Sequence, residues 1–311
     1  WIPCRVQDAL GREVSARFGW LAKSATAVME MSAAAGLTQL LPDEREPIRA
    51  STFGVGQMLS AAAARGARHI ILGLGGSATN DGGTGMARAL GFRFLAGDGH
   101  ALGRSVTDLR DLARIESPND LKLPSITAAC DVTNPLLGPT GATRTFGAQK
   151  GATSAELEIL EGSLTQLAEI SAQTFPCDHR TVSGAGAAGG LGFGLLTFAG
   201  AEIRSGFEVV AETIDLRSRI ARADIVITGE GRLDHQTLSG KVPAGVARLA
   251  RELRKPVFVI AGQATADPEV RALFAGLTTL DDRSPGFRET PALLEMRAAA
   301  LGPQLRAAAG K

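Results

Sequence analysis

The stretch His69-Ile-Ile-Leu-Gly-Leu-Gly-Gly-Ser-Ala-Thr-Asn-Asp-Gly-Gly-Thr-Gly85 contains the strongest indication of how this chain folds. Its apolar start, His69–Leu72, is typical of a β-strand, and the glycine-rich loop after it leads into a helical pattern at Met86–Leu90. Backbone N–H groups at the start of a helix have no partner within the helix, and glycine lets an anion approach them closely. The pattern therefore predicts a strand, an anion-binding loop with Asn80-Asp81 at its tip, and a helix.

The composition is that of a globular chain of 311 residues, long enough for about two domains. Its 33 basic and 32 acidic residues nearly cancel and form no long basic run, which argues against a nucleic-acid or membrane partner. The glycine-rich apolar stretch 185–200 is too short to span a bilayer. The three cysteines, Cys4, Cys130 and Cys177, are odd in number and widely spaced, so the cytoplasm is the predicted compartment. The sequence is compatible with a homo-oligomer.

Strand patterns alternate with helical patterns along the chain, and 38 glycines favour many tight turns, so the predicted fold class is α/β with a parallel sheet. Paired strands are expected at Glu13–Trp20 and Thr26–Met31, and a short strand at Ser125–Ala129. A buried strand at Asp224–Thr228 is expected to lead into a loop at Gly229–Asp234. Helices are predicted at Val55–Arg65, Ser154–Ala172, Leu191–Phe198, Lys241–Arg254 and Pro291–Ala309.

Four loops at or near predicted strand ends combine glycine with carboxylate or amide side chains: Gly75–Gly83, Asp131–Asn134, Gly184–Gly190 and Gly229–Asp234. Because ligands of open α/β sheets bind beyond the carboxyl ends of the strands, these loops predict one shared site. Glycine-loop N–H groups suit phosphate oxygens, a carboxylate–amide pair suits Mg²⁺, and a further carboxylate can accept the proton of an attacking hydroxyl. The set therefore favours phosphoryl transfer.

Three of these loops also have a structural interpretation, whereas Glu230, between two glycines after a predicted buried strand, fits a solvated surface less well. Asn80-Asp81-Gly82 could be a simple turn, Asp131 could cap a local turn, and Gly184–Gly190 is better explained by close helix packing than by ligand contact. Gly73-Leu-Gly-Gly-Ser-Ala78 also fits the loose dinucleotide fingerprint, with Asp98 near the place of the ribose-binding acid. Since Asp98 lies in a Gly-Asp-Gly turn, an NAD-dependent oxidoreductase is the weaker alternative.

Five motifs in order make the chain resemble the type I glycerate kinases, found mainly in bacteria. They are Gly75-Gly-Ser-Ala-Thr-Asn-Asp-Gly-Gly83, Cys130-Asp-Val-Thr-Asn-Pro135, Phe146-Gly-Ala-Gln-Lys-Gly151, Gly184-Ala-Gly-Ala-Ala-Gly-Gly190 and Thr228-Gly-Glu-Gly-Arg-Leu-Asp234. The resemblance implies ATP-dependent phosphorylation of D-glycerate with Mg²⁺, at the 2-hydroxyl, to give 2-phosphoglycerate.

The resemblance also implies two α/β domains, one flavodoxin-like with a Rossmann-like parallel sheet and a second inserted into it. Residues 1–200 would be the inserted domain, and residues 201–311 the C-terminal part of the flavodoxin-like domain. Family members begin with a further segment of several dozen residues, so the natural start is expected upstream of Trp1. A truncated fragment that binds nucleotides or small anions without turnover is therefore an alternative to an active kinase.

The resemblance and the loops together suggest roles in the first half of the chain. Phosphate oxygens are expected to be held by Gly75, Gly76, Ser77 and Thr79. Asn80 and Asp81 are expected at the reaction centre. Asp131 and Asn134 are expected to ligate Mg²⁺ or to meet the glycerate hydroxyl, and Asp131 is a candidate base.

In the second half, Glu230 and Asp234 are expected to orient metal or substrate. Gly229 and Gly231 are expected to contact nucleotide or substrate. Arg232 or Lys241 would neutralise carboxylate or phosphate charge. The sequence leaves open which of the four carboxylates, Asp81, Asp131, Glu230 or Asp234, is the base.

Overall fold

The computed structural model describes residues 1–235, 242–265, 267–280 and 290–310. The chain divides into two compact units, Trp1–Arg204 and Ser205–Lys311. Both units combine β-sheet with α-helices, which confirms the predicted α/β class. The identification of the units as inserted and flavodoxin-like domains stays a prediction. No helix among the described residues is both long enough and apolar enough to cross a membrane.

The first unit is built on a six-stranded sheet with a separate two-stranded sheet. Its strands are β1 Ile2–Gln7, β2 Glu13–Leu21, β3 Thr26–Glu30, β4 His69–Gly73, β5 Arg93–Leu95, β6 Arg114–Glu116, β7 Ser125–Ala129 and β8 Glu202–Arg204. The order in the large sheet is β1-β2-β3-β4-β7-β8, and β5 pairs with β6. The pairs β1/β2 and β2/β3 are antiparallel, whereas β3, β4, β7 and β8 run parallel. The paired strands predicted at the start and the predicted parallel strands thus belong to one mixed sheet.

The helices of the first unit contribute apolar residues to one buried core that they share with the sheets. They are α1 Ser32–Ala35, α2 Phe53–Ala64, α3 Thr84–Ala89, α4 Ala142–Phe146, α5 Ser154–Thr174 and α6 Ala187–Ala199. The predicted periodicity of α5 is confirmed, since Leu160, Leu164 and Leu167 are fully buried. This helix begins with a capping box, in which the Thr153 hydroxyl accepts from the Glu156 N–H and the Glu156 carboxylate accepts from the Thr153 N–H.

The second unit has a three-stranded parallel sheet in the order β11-β10-β9. Its elements are α7 Gly206–Thr213, α8 Leu216–Arg222, β9 Val226–Leu233, α9 Val242–Glu252, β10 Val257–Ala264, α10 Pro268–Arg271, β11 Gly276–Thr279, α11 Thr290–Ala300 and α12 Gly302–Ala308. The alternation of parallel strands and helices is the predicted βαβ pattern. The single helix predicted at the C-terminus is instead the two helices α11 and α12.

The prediction of a loop at Gly229–Asp234 is wrong, because β9 continues through Leu233. Glycine weakens a strand, but the backbone of Gly229 still pairs with Ile260, and pairing with β10 extends to Leu233 and Ala264. The strand is also not fully buried. It lies at the edge of the three-stranded sheet, and its residues alternate between half-buried and exposed along Val226–Glu230.

Candidate functional site

Four parallel strands of the first unit end side by side. Glu30, Gly73, Ala129 and Arg204 are in register at the carboxyl ends of β3, β4, β7 and β8. Just beyond this edge the Leu74 N–H donates to the Ala129 carbonyl oxygen at 3.2 Å. The loops that follow β4 and β7 therefore leave the sheet next to each other, where α/β proteins bind their ligands.

The glycine-rich segment before and at the start of α6 packs against both of these loops. The Gly82 N–H donates to the Gly189 carbonyl at 3.0 Å, and the Gly186 N–H donates to the Asn134 carbonyl at 2.9 Å. A Cβ atom on Gly186 would lie 2.2 Å from the Pro135 carbonyl oxygen. These contacts confirm the interpretation of Gly184–Gly190 as a close-packing segment. Three of the four predicted loops thus lie together in the first unit.

Asp81, which the sequence places at the tip of the loop, is buried just before α3, and its expected place at the reaction centre stays a prediction. Its Oδ2 atom accepts hydrogen bonds from the Thr52 N–H, the Thr52 hydroxyl and the Gly85 N–H, at 2.8, 2.9 and 3.0 Å. Its Oδ1 atom accepts from the Gly83 N–H at 3.1 Å. Burial raises the pKa of the Asp81 carboxyl, and these hydrogen bonds oppose the shift.

This arrangement also changes the expected anion site. The Met86 N–H donates to the Thr52 hydroxyl at 2.8 Å, so Asp81 and Thr52 together occupy N–H groups at the start of α3. An internal carboxylate therefore takes the place that the sequence pattern suggested for a phosphate. A direct role of Asp81 in catalysis stays a prediction that these hydrogen bonds do not favour.

The part of the loop that faces solvent is Gly75–Ser77. Gly75 and Gly76 are exposed and Ser77 is half-buried, and Gly76 has a φ of 72°. The Gly76 carbonyl accepts from Leu37 N–H at 2.8 Å, but within the described part of the chain the N–H groups of residues 75–77 donate to no other residue. Successive free N–H groups around a left-handed glycine form a concavity that attracts anions. This segment is therefore the part of the loop best suited to receive phosphate oxygens.

Beneath this segment lies a buried polar layer. Thr79 and Asn80 are each 0% exposed, and Asn80 Nδ2 donates to the Thr143 hydroxyl at 3.0 Å. Lys150, which is 1% exposed, donates from Nζ to the Thr79 carbonyl at 2.7 Å. Burial lowers the pKa of Lys150 to about 7, although the charge of Asp81 opposes the shift. The side chains of Thr79 and Asn80 therefore lie in the interior, and their expected contact with a ligand stays a prediction.

Asp131 and Asn134 lie on the loop after β7 and are accessible, Asp131 being exposed and Asn134 half-buried. Asn134 Nδ2 donates to the Thr140 carbonyl at 2.7 Å, which leaves its Oδ1 oxygen for a ligand. Among the described residues, no group of three or more histidine, cysteine, aspartate or glutamate residues is arranged to hold a metal. One carboxylate and one amide oxygen still fit Mg²⁺, since this ion keeps several waters and takes phosphate oxygens from its substrate.

The second unit has a cavity of about 490 Å³ at the carboxyl ends of its parallel strands. Its lining residues come from β9, β10, Leu280 and α11: Gly229, Glu230, Gly231, Ile260, Ala261, Gly262, Gln263, Leu280, Thr290 and Leu294. Glu230 Oε1 accepts from the N–H of Gly231 at 3.0 Å. A Cβ atom on Gly262 would lie 2.5 Å from the Gly231 carbonyl oxygen, so glycine is required for β9 and β10 to approach here.

The other predicted residues of this region lie after the glycines. Arg232 forms a 3.6 Å ion pair with Asp234, and the Arg232 side chain is mostly exposed. Lys241 lies outside the described residues. Glu230, Asp234 and Arg232 belong to the second unit, whereas Asp81 and Asp131 belong to the first. Their convergence on one site stays a prediction.

The position of Asp98 does not support the weaker alternative of a dinucleotide-binding oxidoreductase. Asp98 lies in the turn between β5 and Ala101, and it binds the backbone N–H and the ring of His100. This turn follows a strand of the two-stranded sheet, whereas the fingerprint glycines follow β4 of the large sheet. Asp98 therefore does not occupy the strand end from which a ribose-binding acid reaches its ligand.

Sequence reasoning missed three charged residues near the carboxyl edge. Glu30 and Arg204 end the strands β3 and β8, and the position of a charge at a strand end was the signal that could have found them. Lys150 lies within the motif Phe146–Gly151 but received no role. Its signal was a lysine between Gly147 and Gly151, and only the structure shows that it is buried.

Comparisons with known proteins agree with one another. The family model described as the glycerate kinase family matches residues 1–302. Glycerate kinase of Bacillus subtilis (strain 168) is 45% identical over 265 residues, which cover 84% of this chain and 69% of that protein. Glycerate 2-kinase of Escherichia coli (strain K12) is 42% identical over 292 residues, 91% of this chain and 77% of the relative. A solved structure of a glycerate kinase 2 from Salmonella typhimurium LT2 superimposes with a TM-score of 0.83 at 38% identity, covering 98% of this chain and 82% of the other.

Proposed function

Because this chain belongs to the glycerate kinase family, it is a kinase, and we propose that it transfers the γ-phosphoryl group of ATP to the 2-hydroxyl of D-glycerate. The product would be 2-phosphoglycerate. The family match over residues 1–302 is the observation that carries this proposal. The geometry at the carboxyl edge of the large sheet is consistent with it, since a glycine segment with free N–H groups lies beside a loop with an exposed carboxylate.

We assign the phosphate-binding role to the backbone of Gly75, Gly76 and Ser77. Phosphoryl transfer places negative charge on the phosphate oxygens, and fixed N–H donors stabilise it without rearrangement. Thr79 supports this segment from below through its carbonyl group, which Lys150 holds. Asn80 contributes in the same indirect way through its hydrogen bond to Thr143.

Asp131 is the proposed base for the attacking hydroxyl. Its carboxylate is exposed at the edge where the phosphate segment also lies, whereas the Asp81 carboxylate is buried and already accepts four hydrogen bonds. Asp131 and Asn134 are also the residues that would hold Mg²⁺. When bound, the ion would neutralise charge on the phosphate oxygens of ATP.

We also propose that the cavity of the second unit binds a ligand. Glu230 lines this cavity and would orient substrate or metal, a role also proposed for Asp234 just after β9. Gly229 and Gly231 allow close approach of a ligand to β9. Arg232 and Lys241 would offset the negative charge of substrate and phosphate.

The remaining properties follow from composition and are proposed with the function. We propose a cytoplasmic enzyme, since the three cysteines are free and widely separated in sequence. The nearly balanced charge favours small-molecule substrates over nucleic acid. A homo-oligomer is compatible with these features.

A coupled ADP-release assay with ATP, Mg²⁺ and D-glycerate tests the function on the full-length protein. We expect turnover that requires D-glycerate, and NMR of the product should show phosphate on the 2-hydroxyl. ATP binding without turnover would instead support the non-catalytic alternative. Asp131→Asn should lower kcat by about 10²–10⁴-fold, as loss of a general base does. Asp120→Asn, at an exposed site of the same unit, is the control.

A further inference from the structure

The amino group of Lys150 is buried, where a positive charge is energetically costly. Its side chain is 1% exposed, and its Nζ atom donates to the Thr79 carbonyl oxygen at 2.7 Å. A buried lysine with little compensation pays a large desolvation cost, and a neutral side chain could fill the same space at lower cost. The next residue, Asn80, makes its hydrogen bond to Thr143 with a neutral side chain. The use of a lysine here therefore calls for a reason other than stability.

The neighbouring backbone shows what this lysine holds. Thr79 follows the exposed segment Gly75–Ser77 by two residues, and its carbonyl oxygen is pressed against Gly189, where an added Cβ would lie 1.9 Å away. An isolated bridge between Gly36 and Ser77 holds the last residue of the segment. The bridge thus holds the end of the segment, and the Nζ atom of Lys150 holds the loop two residues further along.

Lys150 is itself held rigidly. It ends the short 3₁₀ helix Ala148–Lys150, which lies between two glycines with close neighbours. A Cβ atom on Gly147 would lie 2.6 Å from the Thr143 carbonyl oxygen, and one on Gly151 would lie 2.4 Å from the Arg45 carbonyl oxygen. The negative charge of Asp81 favours the protonated form of Lys150 and partly offsets the lowering of its pKa by burial.

We propose that Lys150 is a positioning residue of this kinase, which holds the Thr79 carbonyl and thereby keeps the N–H groups of Gly75–Ser77 in the arrangement that receives the phosphates of ATP. The inference rests on the proposed function. Lys150 does not touch the nucleotide, so its effect is transmitted through the loop backbone. Its loss should weaken ATP binding more than it weakens the fold.

The test compares Lys150→Met with Val6→Ala in the full-length protein. Lys150→Met keeps the length of the side chain and removes the N–H donor, whereas Val6→Ala destabilises the same core from β1. We expect Lys150→Met to raise KM for ATP about ten-fold or more, as the loss of one hydrogen bond from a charged group does, with an unfolding midpoint equal to or above that of the wild type. Val6→Ala should lower the midpoint and leave KM unchanged.

Calorimetric titration with Mg·ATP gives the same comparison without D-glycerate, so this inference can fail separately from the proposed reaction. An unchanged affinity for Mg·ATP in Lys150→Met would overturn the proposal. So would a lowered midpoint with unchanged KM, because that result describes a purely structural lysine. Lys150→Gln retains a donor and should fall between the wild type and Lys150→Met in KM.

Discussion

The carbonyl oxygen of Thr79 lies directly against the backbone of Gly189, so closely that a Cβ atom on that glycine would be 1.9 Å from the oxygen. The two residues are 110 positions apart, and their contact joins the loop after β4 to the segment that opens α6. Gly189 has a φ of 68°, which is unfavourable for a residue with a side chain. This contact fixes the spacing between two of the predicted loops.

Replacing Gly189 with alanine should therefore destabilise the first unit. The methyl group would meet backbone atoms that cannot move independently, and we expect the free energy of unfolding to fall by at least about 2 kcal/mol. Both tryptophans, Trp1 and Trp20, belong to this unit, so the urea transition can be followed by their fluorescence. Gly162→Ala in α5 has open space around it and should instead be neutral or stabilising. Equal urea midpoints for Gly189→Ala and Gly162→Ala would contradict a close contact between Gly189 and Thr79.

The buried carboxylate of Asp81 leads to a second prediction. In Asp81→Asn, an NH₂ group would face N–H donors, so the loss in the free energy of unfolding should be about 2 kcal/mol or more. The exposed residue Asp43 provides the control, and Asp43→Asn should leave the urea midpoint unchanged. If Asp81→Asn kept wild-type stability and lost turnover, the catalytic role expected from the sequence would be restored.

Lys150 should make stability depend on pH in the alkaline range. Its pKa is about 7 in the folded protein and its ordinary value is 10.5, so between these values the unfolded state binds more protons. The stability of the wild type relative to Lys150→Met should then rise with pH, by about 2 kcal/mol from pH 7 to pH 9, and should level off below about pH 6. Urea transitions of both proteins at the two pH values measure the difference. An equal change in the free energy of unfolding of both proteins between the two pH values would mean that the folded protein keeps Lys150 protonated.

The cavity of the second unit predicts a functional role for Glu230. Glu230→Gln keeps the shape of the side chain and removes the charge, so we expect kcat/KM to fall about 10–100-fold if the carboxylate holds substrate or metal. The fluorescence transition of the first unit should not change. Glu208→Gln, an exposed position on α7, should retain wild-type kinetics. Full activity of Glu230→Gln would contradict the functional role proposed for the cavity.

The sequence by itself was enough to predict the elements that depend on neighbours along the chain. The strand–loop–helix unit around Gly75 and the long helix α5 are both encoded in local periodicity and turn residues. The α/β class and the family followed from the order of such patterns and from the motifs. Local patterns succeed because backbone preference and side-chain periodicity act within about ten residues.

Only the tertiary structure showed which groups these elements place against one another. Thr52, far away in sequence, joins Asp81 at the start of α3 and leaves the exposed N–H groups of Gly75–Ser77 as the place for an anion. Pairing with β10 carries β9 through glycines that suggest a loop, and burial turns Lys150 from an ordinary surface residue into a support of Thr79. Each of these outcomes is decided by burial and by hydrogen bonds between distant segments, whose energies no local stretch of sequence contains.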